Sequence, residues 1–455
     1  MLLSILAYYV VPRRYQGTVI LAASAFYLAS WDLRFLAIHV LVSLTAFSTA
    51  QMVHRHDSSR IWFFAGCGML LTPLVLFKFL GFWRINIPLV SGSELSPGGP
   101  SNLLIPLGLS FYTLSVLAYL IDVRRRQIVP TKSFRDFFLF TSFFPHIVMG
   151  PIDRIQHLLP QLLAVRAFKA ETIYEGIFWI SLGLFKRLML VNVLAPIYQR
   201  SISGAVATEE FGLQFLAQVL VGYVYFYSDF SSYMNLVTGC ARFFGVDLAI
   251  NFNQPYLARN PVASWQRWHM SLTSWIRDYI YLPLLLKTRN PMFCVFVLFL
   301  CLGMFHEVSF SYLVWTLYWT IITWLYMLYV RVVKRRFSFL NGDHPITVFL
   351  QVTITLFIVS FVSFFSWVRD ISSLGSLLDR MLQIQLGYAH LFTLPSNKLV
   401  LLIIAVLIVI AQESRYKPEN LKQRRFEIIP VALLNLFLLA MLGSFDDFAF
   451  QYINF

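Results

Sequence analysis

Charge is scarce in this chain: Lys, Arg, Asp and Glu make up 13% of its 455 residues, against 58% hydrophobic and 17% aromatic. A soluble domain carries about 25% charged residues to cover its surface, so a water-exposed globule is excluded. Cysteine is sparse as well. Cys67, Cys240, Cys294 and Cys301 lie in apolar surroundings, at spacings that match neither a zinc motif nor a secreted disulfide framework. No P-loop, dinucleotide fingerprint or G-x-S-x-G elbow occurs, which removes those nucleotide-binding and hydrolase routes. Nor is there an internal repeat of the kind that marks many transporters.

What is present is a succession of long apolar runs, with a mean hydropathy of +0.68. A membrane admits only helices and closed barrels, because lipid satisfies no backbone hydrogen bond, and continuous rather than alternating runs select helices. The runs predict an all-α polytopic protein with roughly 10 to 13 membrane helices, over 2–11, 19–28, 35–51, 61–82, 103–121, 137–149, 173–193, 211–236, 292–305, 312–330, 346–365, 399–410 and 428–442. Several are too short to stand upright, which predicts re-entrant or tilted helices around a cavity. Residues 2–11 look like a signal h-region but lack its basic start and small-residue cleavage pattern, and read as a retained first helix. The net charge of +14 comes from short loops, not from a nucleic-acid surface. Arg13-Arg14, the loop from His54 to Arg60, and Arg124-Arg125-Arg126 alternate with cation-poor loops such as 91–101, placing them in the cytoplasm and the N-terminus outside. The basic stretches 331–343, with Lys334-Arg335-Arg336, and 413–425 read as cytoplasmic loops.

Two polar blocks interrupt this background: Ser264-Trp-Gln-Arg-Trp268-His269-Met-Ser-Leu-Thr-Ser-Trp-Ile-Arg277-Asp278-Tyr-Ile-Tyr281 and Met304-Phe-His306-Glu307-Val-Ser-Phe310. Ionisable side chains are costly near hydrocarbon, so those found there tend to line a pathway or perform chemistry. Asn260-Pro261 predicts a helix start, since proline loses nothing at the first helical position. Trp265, Trp268, Leu272, Trp275 and Tyr279 then recur three and four apart, which predicts one helix with an aromatic face and Arg267, Arg277 and Asp278 turned away from it. On periodicity alone a simple interfacial anchor explains that helix slightly better than a site does. His269, on neither stripe, carries the functional reading. His306-Glu307 begins like the zinc motif H-E-x-x-H, but position 310 is Phe, so no metal site is expected.

The run Asn251-Phe-Asn-Gln-Pro-Tyr256, with Arg267-Trp-His269-Met-Ser-Leu and Trp275-Ile-Arg277-Asp278-Tyr-Ile-Tyr281, resembles the signature block of the membrane-bound O-acyltransferase (MBOAT) family. Upstream, Ile105-Pro-Leu-Gly108-Leu-Ser110-Phe-Tyr112, Asp122-Val-Arg124, Phe143-Phe144-Pro145, Gly150-Pro151-Ile-Asp153-Arg154 and Asp229-Phe230-Ser231-Ser-Tyr233 are similar, in the same order, to its bacterial branch. Members of that branch acetylate alginate or transfer D-alanine to teichoic acid. The resemblance covers 103–318 within a single domain 1–455, with further helices at 1–102 and 319–455.

The resemblance implies a curved helical bundle in the bacterial cytoplasmic membrane, with a central funnel open on each side and a histidine near the narrow point. His306 matches the family's catalytic histidine and His269 its second polar position. An imidazole suits the task because its ordinary pKa of about 6.5 lets it take a hydroxyl proton near neutral pH. Asp278 or Glu307 would orient or charge it, Glu307 less directly because adjacent helical residues face apart. Arg277, Asp229 and Trp268 complete the supporting set. The implied reaction moves an acyl group, acetyl before D-alanyl, from a cytoplasmic thioester (acyl-CoA or an acyl-carrier protein) to hydroxyls of a cell-envelope polysaccharide. The implied partners are that donor or carrier protein, an extracytoplasmic acceptor or transferase, and membrane lipid, with no bound cofactor, metal or nucleic acid. A transporter or channel feeding a separate transferase is the competing expectation, and lipid acylation a third. The family usually reads Trp-His-Gly at the catalytic position, whereas this chain has Phe305-His306-Glu307, adding bulk and charge where close backbone approach would favour glycine. Downstream, the family's Tyr-His is Tyr318-Trp319.

Elsewhere, Asp229 with Tyr225 and Tyr227 sits in an apolar helix, where a functional carboxylate and a hydrogen-bonded clamp are equally good readings. His146 beside Pro145 reads as packing, and Asp153-Arg154 as an ion pair at a Gly-Pro bend. His54, His56, His157, His344 and His390 read as solvated, and Asp446-Asp447 with the aromatic tail carries no evident chemistry.

Overall fold

The helix Leu33–Arg55 buries polar as well as apolar residues along one stripe, Phe35, His39, Val42, Ser43, Ala46, Thr49, Ala50 and Val53. These recur three and four apart, so one face of the helix is presented to its neighbours. The neighbours are Gln16–Trp31, Ser59–Asn86, Leu109–Arg124 and Phe134–Ser142. In a computed structural model, which describes residues 1–55, 59–86, 106–202, 213–334, 336, 343–365, 374–375, 396–417 and 420–443, this bundle belongs to the first of two compact units. The 91–101 loop, His56, Ile105, Arg335 with most of the 331–343 stretch, His390, and Asp446-Asp447 with the tail lie outside the described residues.

The first unit comprises Met1–Gly176 and Cys240–Ala249. Small residues let its helices approach closely: a Cβ added to Gly66 would come within 2.2 Å of Thr49 Cγ2. The short helix Leu2–Val10 is packed into this unit, Tyr8 edge-on to Phe244 at 5.3 Å and Tyr9 Oη donating to the Phe243 carbonyl. The 137–149 run is a helix only to Ser142, followed by the turn-rich segment that carries Phe143, Pro145 and His146.

The second unit comprises Ile177–Gly239 and Ile250–Phe455. Its core packs Phe178 and Leu182 against Tyr416, Leu421 and Ile428. A buried amide pair stitches the same region, Gln412 Nε2 donating to Asn435 Oδ1 (2.8 Å) and Asn435 Nδ2 to Gln412 Oε1 (3.0 Å). All described regular structure is helical, as expected for an all-α membrane protein. Four helices, Leu33–Arg55, Arg60–Phe77, Ala170–Gln199 and Phe310–Val333, are long and apolar enough to cross a membrane by length and composition. Pro291–His306, Pro345–Ser360 and Phe426–Leu442 are apolar but shorter.

Candidate functional site

Both histidine blocks fall in the second unit, and local chemistry explains where each ring stands. Asn290 accepts from the Phe293 N–H (3.1 Å) with Pro291 at the first helical position, so the helix Pro291–His306 starts at a well-formed cap. It ends at His306. Ser309 caps the next helix, Phe310–Tyr329, by accepting from Tyr312 N (3.4 Å), so only two residues separate histidine from cap. The hairpin is tight because Gly303, one turn before His306, has no side chain: a Cβ there would lie 2.5 Å from Thr316 Oγ1 and 3.2 Å from the Tyr312 carbonyl. The close approach stacks Tyr312 on His306, ring centroids 5.5 Å apart and planes 9° from parallel, with Trp315 at 6.2 Å.

Glu307 is exposed and extended, with φ −159°. Any residue adopts that backbone conformation, so Glu307 sits there without backbone strain.

The aromatic block departs from the expected single helix. It forms two seven-residue helices, Pro261–Arg267 and Met270–Ile276, broken at Trp268-His269. Asn260 starts the first as the Asn-Pro pair predicts, accepting from Ala263 N at 2.8 Å. The break arises from backbone pairing with the preceding segment. Asn253 N–H donates to the Arg267 carbonyl (3.0 Å), Met270 N–H to the Asn251 carbonyl (2.9 Å), and Ser271 N–H to Asn251 Oδ1 (3.1 Å). Held on both sides, His269 takes the left-handed conformation, φ 42° and ψ 54°, which histidine tolerates better than most residues.

That turn buries the His269 ring edge-on to Phe230 at 4.9 Å. Burial, and after it the charge of the nearby His306, hold the His269 imidazole below its ordinary pKa and therefore neutral. Trp265 joins the elements of the two histidines, packing on Trp315 (5.7 Å), Trp319 (4.9 Å) and Phe299 (5.4 Å). Trp319, where the family has histidine, is part of this wall. Trp268 turns instead onto Phe252 (5.2 Å) and Tyr223 (5.8 Å), so the aromatic face is split between two packing sites.

The supporting residues separate. Asp278 is half-exposed and ion-paired with exposed Arg277 at 2.8 Å, in a π-helical turn, Arg277–Tyr281. Asp229 is buried and clamped by Arg187, which favours the helix-clamp reading. Arg187 and its neighbour Lys186 lie in a second π-helical segment, Lys186–Val191, of a kind common where local function demands an irregular turn.

Sequence reasoning missed Lys186 and Glu413. Glu413 was expected in a loop; it lies in the last turn of the helix Ser396–Arg415, largely buried and ion-paired with fully buried Lys186. Tyr227 Oη (2.6 and 2.7 Å) and Tyr256 Oη (2.6 Å) both donate to its carboxylate, and Lys186 Nζ also donates to Ser231 Oγ (3.1 Å). The only advance signal was a lysine and arginine inside the 173–193 apolar run, where buried charge requires a partner.

In the first unit, Asp153 pairs with His157 at 2.7 Å and accepts from Ala249 N, replacing the expected contact with Arg154. His157 is exposed, as expected, while its Nδ1 pairs with Asp153. His146 packs as expected, its Nδ1 2.9 Å from the Phe143 carbonyl. His344 is exposed at the start of Pro345–Ser360, and His54 is half-buried in the last turn of Leu33–Arg55.

The membrane-bound O-acyltransferase profile matches residues 101–367, more than half of the chain and inclusive of both histidines. The probable alginate O-acetylase AlgI of Pseudomonas putida is 30% identical over 316 residues, covering 68% of this chain and 64% of its own length. The peptidoglycan O-acetyltransferase of Helicobacter pylori is 28% identical over 334 residues, 65% of this chain and 61% of that protein. The teichoic acid D-alanyltransferase of Bacillus subtilis is 25% identical over 275 residues, 58% of this chain and 68% of that protein. The chain therefore spans slightly under two thirds of the first two relatives. On the extent of the matched profile and the ordered motifs around His269 and His306, this chain belongs to the membrane-bound O-acyltransferase family.

Proposed function

We propose that this protein is an O-acyltransferase of the bacterial cytoplasmic membrane, moving an acyl group from a cytoplasmic thioester to hydroxyls of a cell-envelope polysaccharide. The observation that carries this reading is half-buried His306 at a helix end, stacked on Tyr312 and beside Trp315, with Trp315 packed on Trp265 of the helix that leads into buried His269. His306 is the general base. It takes the acceptor hydroxyl proton as that oxygen attacks the thioester carbonyl; the tetrahedral intermediate then collapses, expels the thiolate, and the proton passes to sulfur. His269, neutral and locked by its loop, positions donor or acceptor. Acetyl is the first choice of acyl group, on the relatives named for O-acetylation, and D-alanyl the second. Acyl-CoA or an acyl-carrier protein supplies the thioester, and an extracytoplasmic acceptor or transferase receives the group.

A general base contributes about 100-fold to 10,000-fold in rate. His306→Gln, which keeps polarity but takes no proton, should therefore abolish envelope acylation, read by mass spectrometry of released acyl groups at matched membrane expression. Near-normal acylation would remove His306 as base and leave an acyl-group channel as the better account.

A further inference from the structure

A buried lysine–carboxylate pair is not an economical way to hold helices together. Two desolvated charges recover little more than their own desolvation cost, and apolar residues of similar volume do as well or better. Lys186 is nonetheless 1% exposed and Glu413 12%, and the carboxylate takes two tyrosine hydroxyls besides the ammonium. The two tyrosines differ in what they connect. Tyr227 belongs to the helix Leu213–Arg242, so its bond joins helix to helix. Tyr256 belongs to the segment that pairs with both flanks of His269, so its bond reaches the histidine loop. Next to it, Gln254 Nε2 donates to Ser414 Oγ at 2.6 Å, a second tie from the same loop to the residue after Glu413. Gln254 is itself left-handed, φ 47°, as His269 is. The loop is thus fixed at its His269 end by Asn251 and Asn253 and at its other turn by Glu413 and Ser414.

We propose that Glu413 is a positioning residue that acts through the Tyr256 hydroxyl, setting the register of the 251–269 loop and so the place of His269 relative to His306. Lys186 Nζ is a further donor on the same carboxylate, and charge-assisted bonds of this kind are stronger than neutral ones. Its functional meaning rests on the acyl-transfer reading, but the positioning itself does not.

The test uses the full-length purified protein for hydrogen–deuterium exchange and a deletion strain carrying each variant for envelope acylation. Tyr256→Phe removes the hydroxyl that reaches the loop; Tyr227→Phe removes the other hydroxyl on the same carboxylate and serves as the control. Tyr256→Phe should raise exchange across 251–269 by about 10-fold and cut acylation by about 10-fold or more, since small misplacements at a reacting centre are costly. Tyr227→Phe should leave loop exchange at the wild-type level. Combining Tyr256→Phe with Glu413→Leu, which removes the acceptor, should add nothing to the loop exchange of Glu413→Leu alone, because both break one connection. Equal effects of the two tyrosine variants, unchanged loop exchange in Tyr256→Phe, or additive effects in the double variant would each overturn the proposal. Exchange is read without any reaction, so absent acylation in the wild type would defeat the transfer reading while leaving this one standing.

Discussion

Asp153 in the first unit and Glu413 in the second are both carboxylates kept from water, and they take opposite kinds of partner. Asp153, 1% exposed, is paired with His157, whose side chain is 46% exposed and whose charge depends on pH. Glu413 is paired with Lys186, which is fully buried, and with two phenols. The first arrangement tolerates loss of its cation because water can reach the histidine. The second does not, since removing either charge strands the other. The less forgiving of these two arrangements is the one tied to the histidine loop.

The sharpest way to test the contrast is to remove Lys186. Lys186→Met leaves Glu413 buried without its cation, which costs about 3–5 kcal/mol in known buried pairs. Thermal unfolding in detergent should show a large fall in Tm, substantially restored by adding Glu413→Gln. A double variant no more stable than Lys186→Met alone would mean that the two charges are not coupled.

A second comparison pairs two glycines. Gly66 in the first unit and Gly303 in the second each face a threonine on the next helix, with space for no Cβ. Alanine at either should cost about 1–3 kcal/mol through overpacking. Their effects on acylation should diverge. Gly303 lies one turn before His306 and Gly66 lies in a different unit, so only Gly303→Ala should lower acylation per folded molecule. Thr316→Ala should recover part of that loss by making room. Equal activity losses at matched folded protein would show that the hairpin does not set His306.

These residues also show what could be read in advance. The caps at Asn260-Pro261 and Asn290-Pro291 were legible because a cap depends on a handful of adjacent residues. The helical class was legible through hydropathy, and the family through ordered motifs. The break at Trp268-His269 was not, because the aromatic spacing fits a continuous helix and the interruption comes from backbone pairing with Asn251 and Asn253. Glu413 was misread as loop because its partner Lys186 is 227 positions away, and polar residues after an apolar run look solvated until that partner is seen. Asp278 is ion-paired with Arg277, its neighbour in sequence.

The smallest expected effect concerns His157. The hydrogen bond to Asp153 raises the His157 pKa above its ordinary value, with burial opposing and Asp247 assisting. A pKa raised on folding means that the folded state favours the protonated ring. The stabilisation is therefore fully present below the unfolded value of about 6.5 and is lost as pH rises through the higher folded value. Because the ring is nearly half-exposed, solvent screening limits the contribution to under about 1 kcal/mol. The Tm of wild type should exceed that of His157→Gln at about pH 5.5 and approach it at about pH 8.5. A His157→Gln deficit that stayed constant from low to high pH would mean that Asp153 holds His157 by a neutral hydrogen bond.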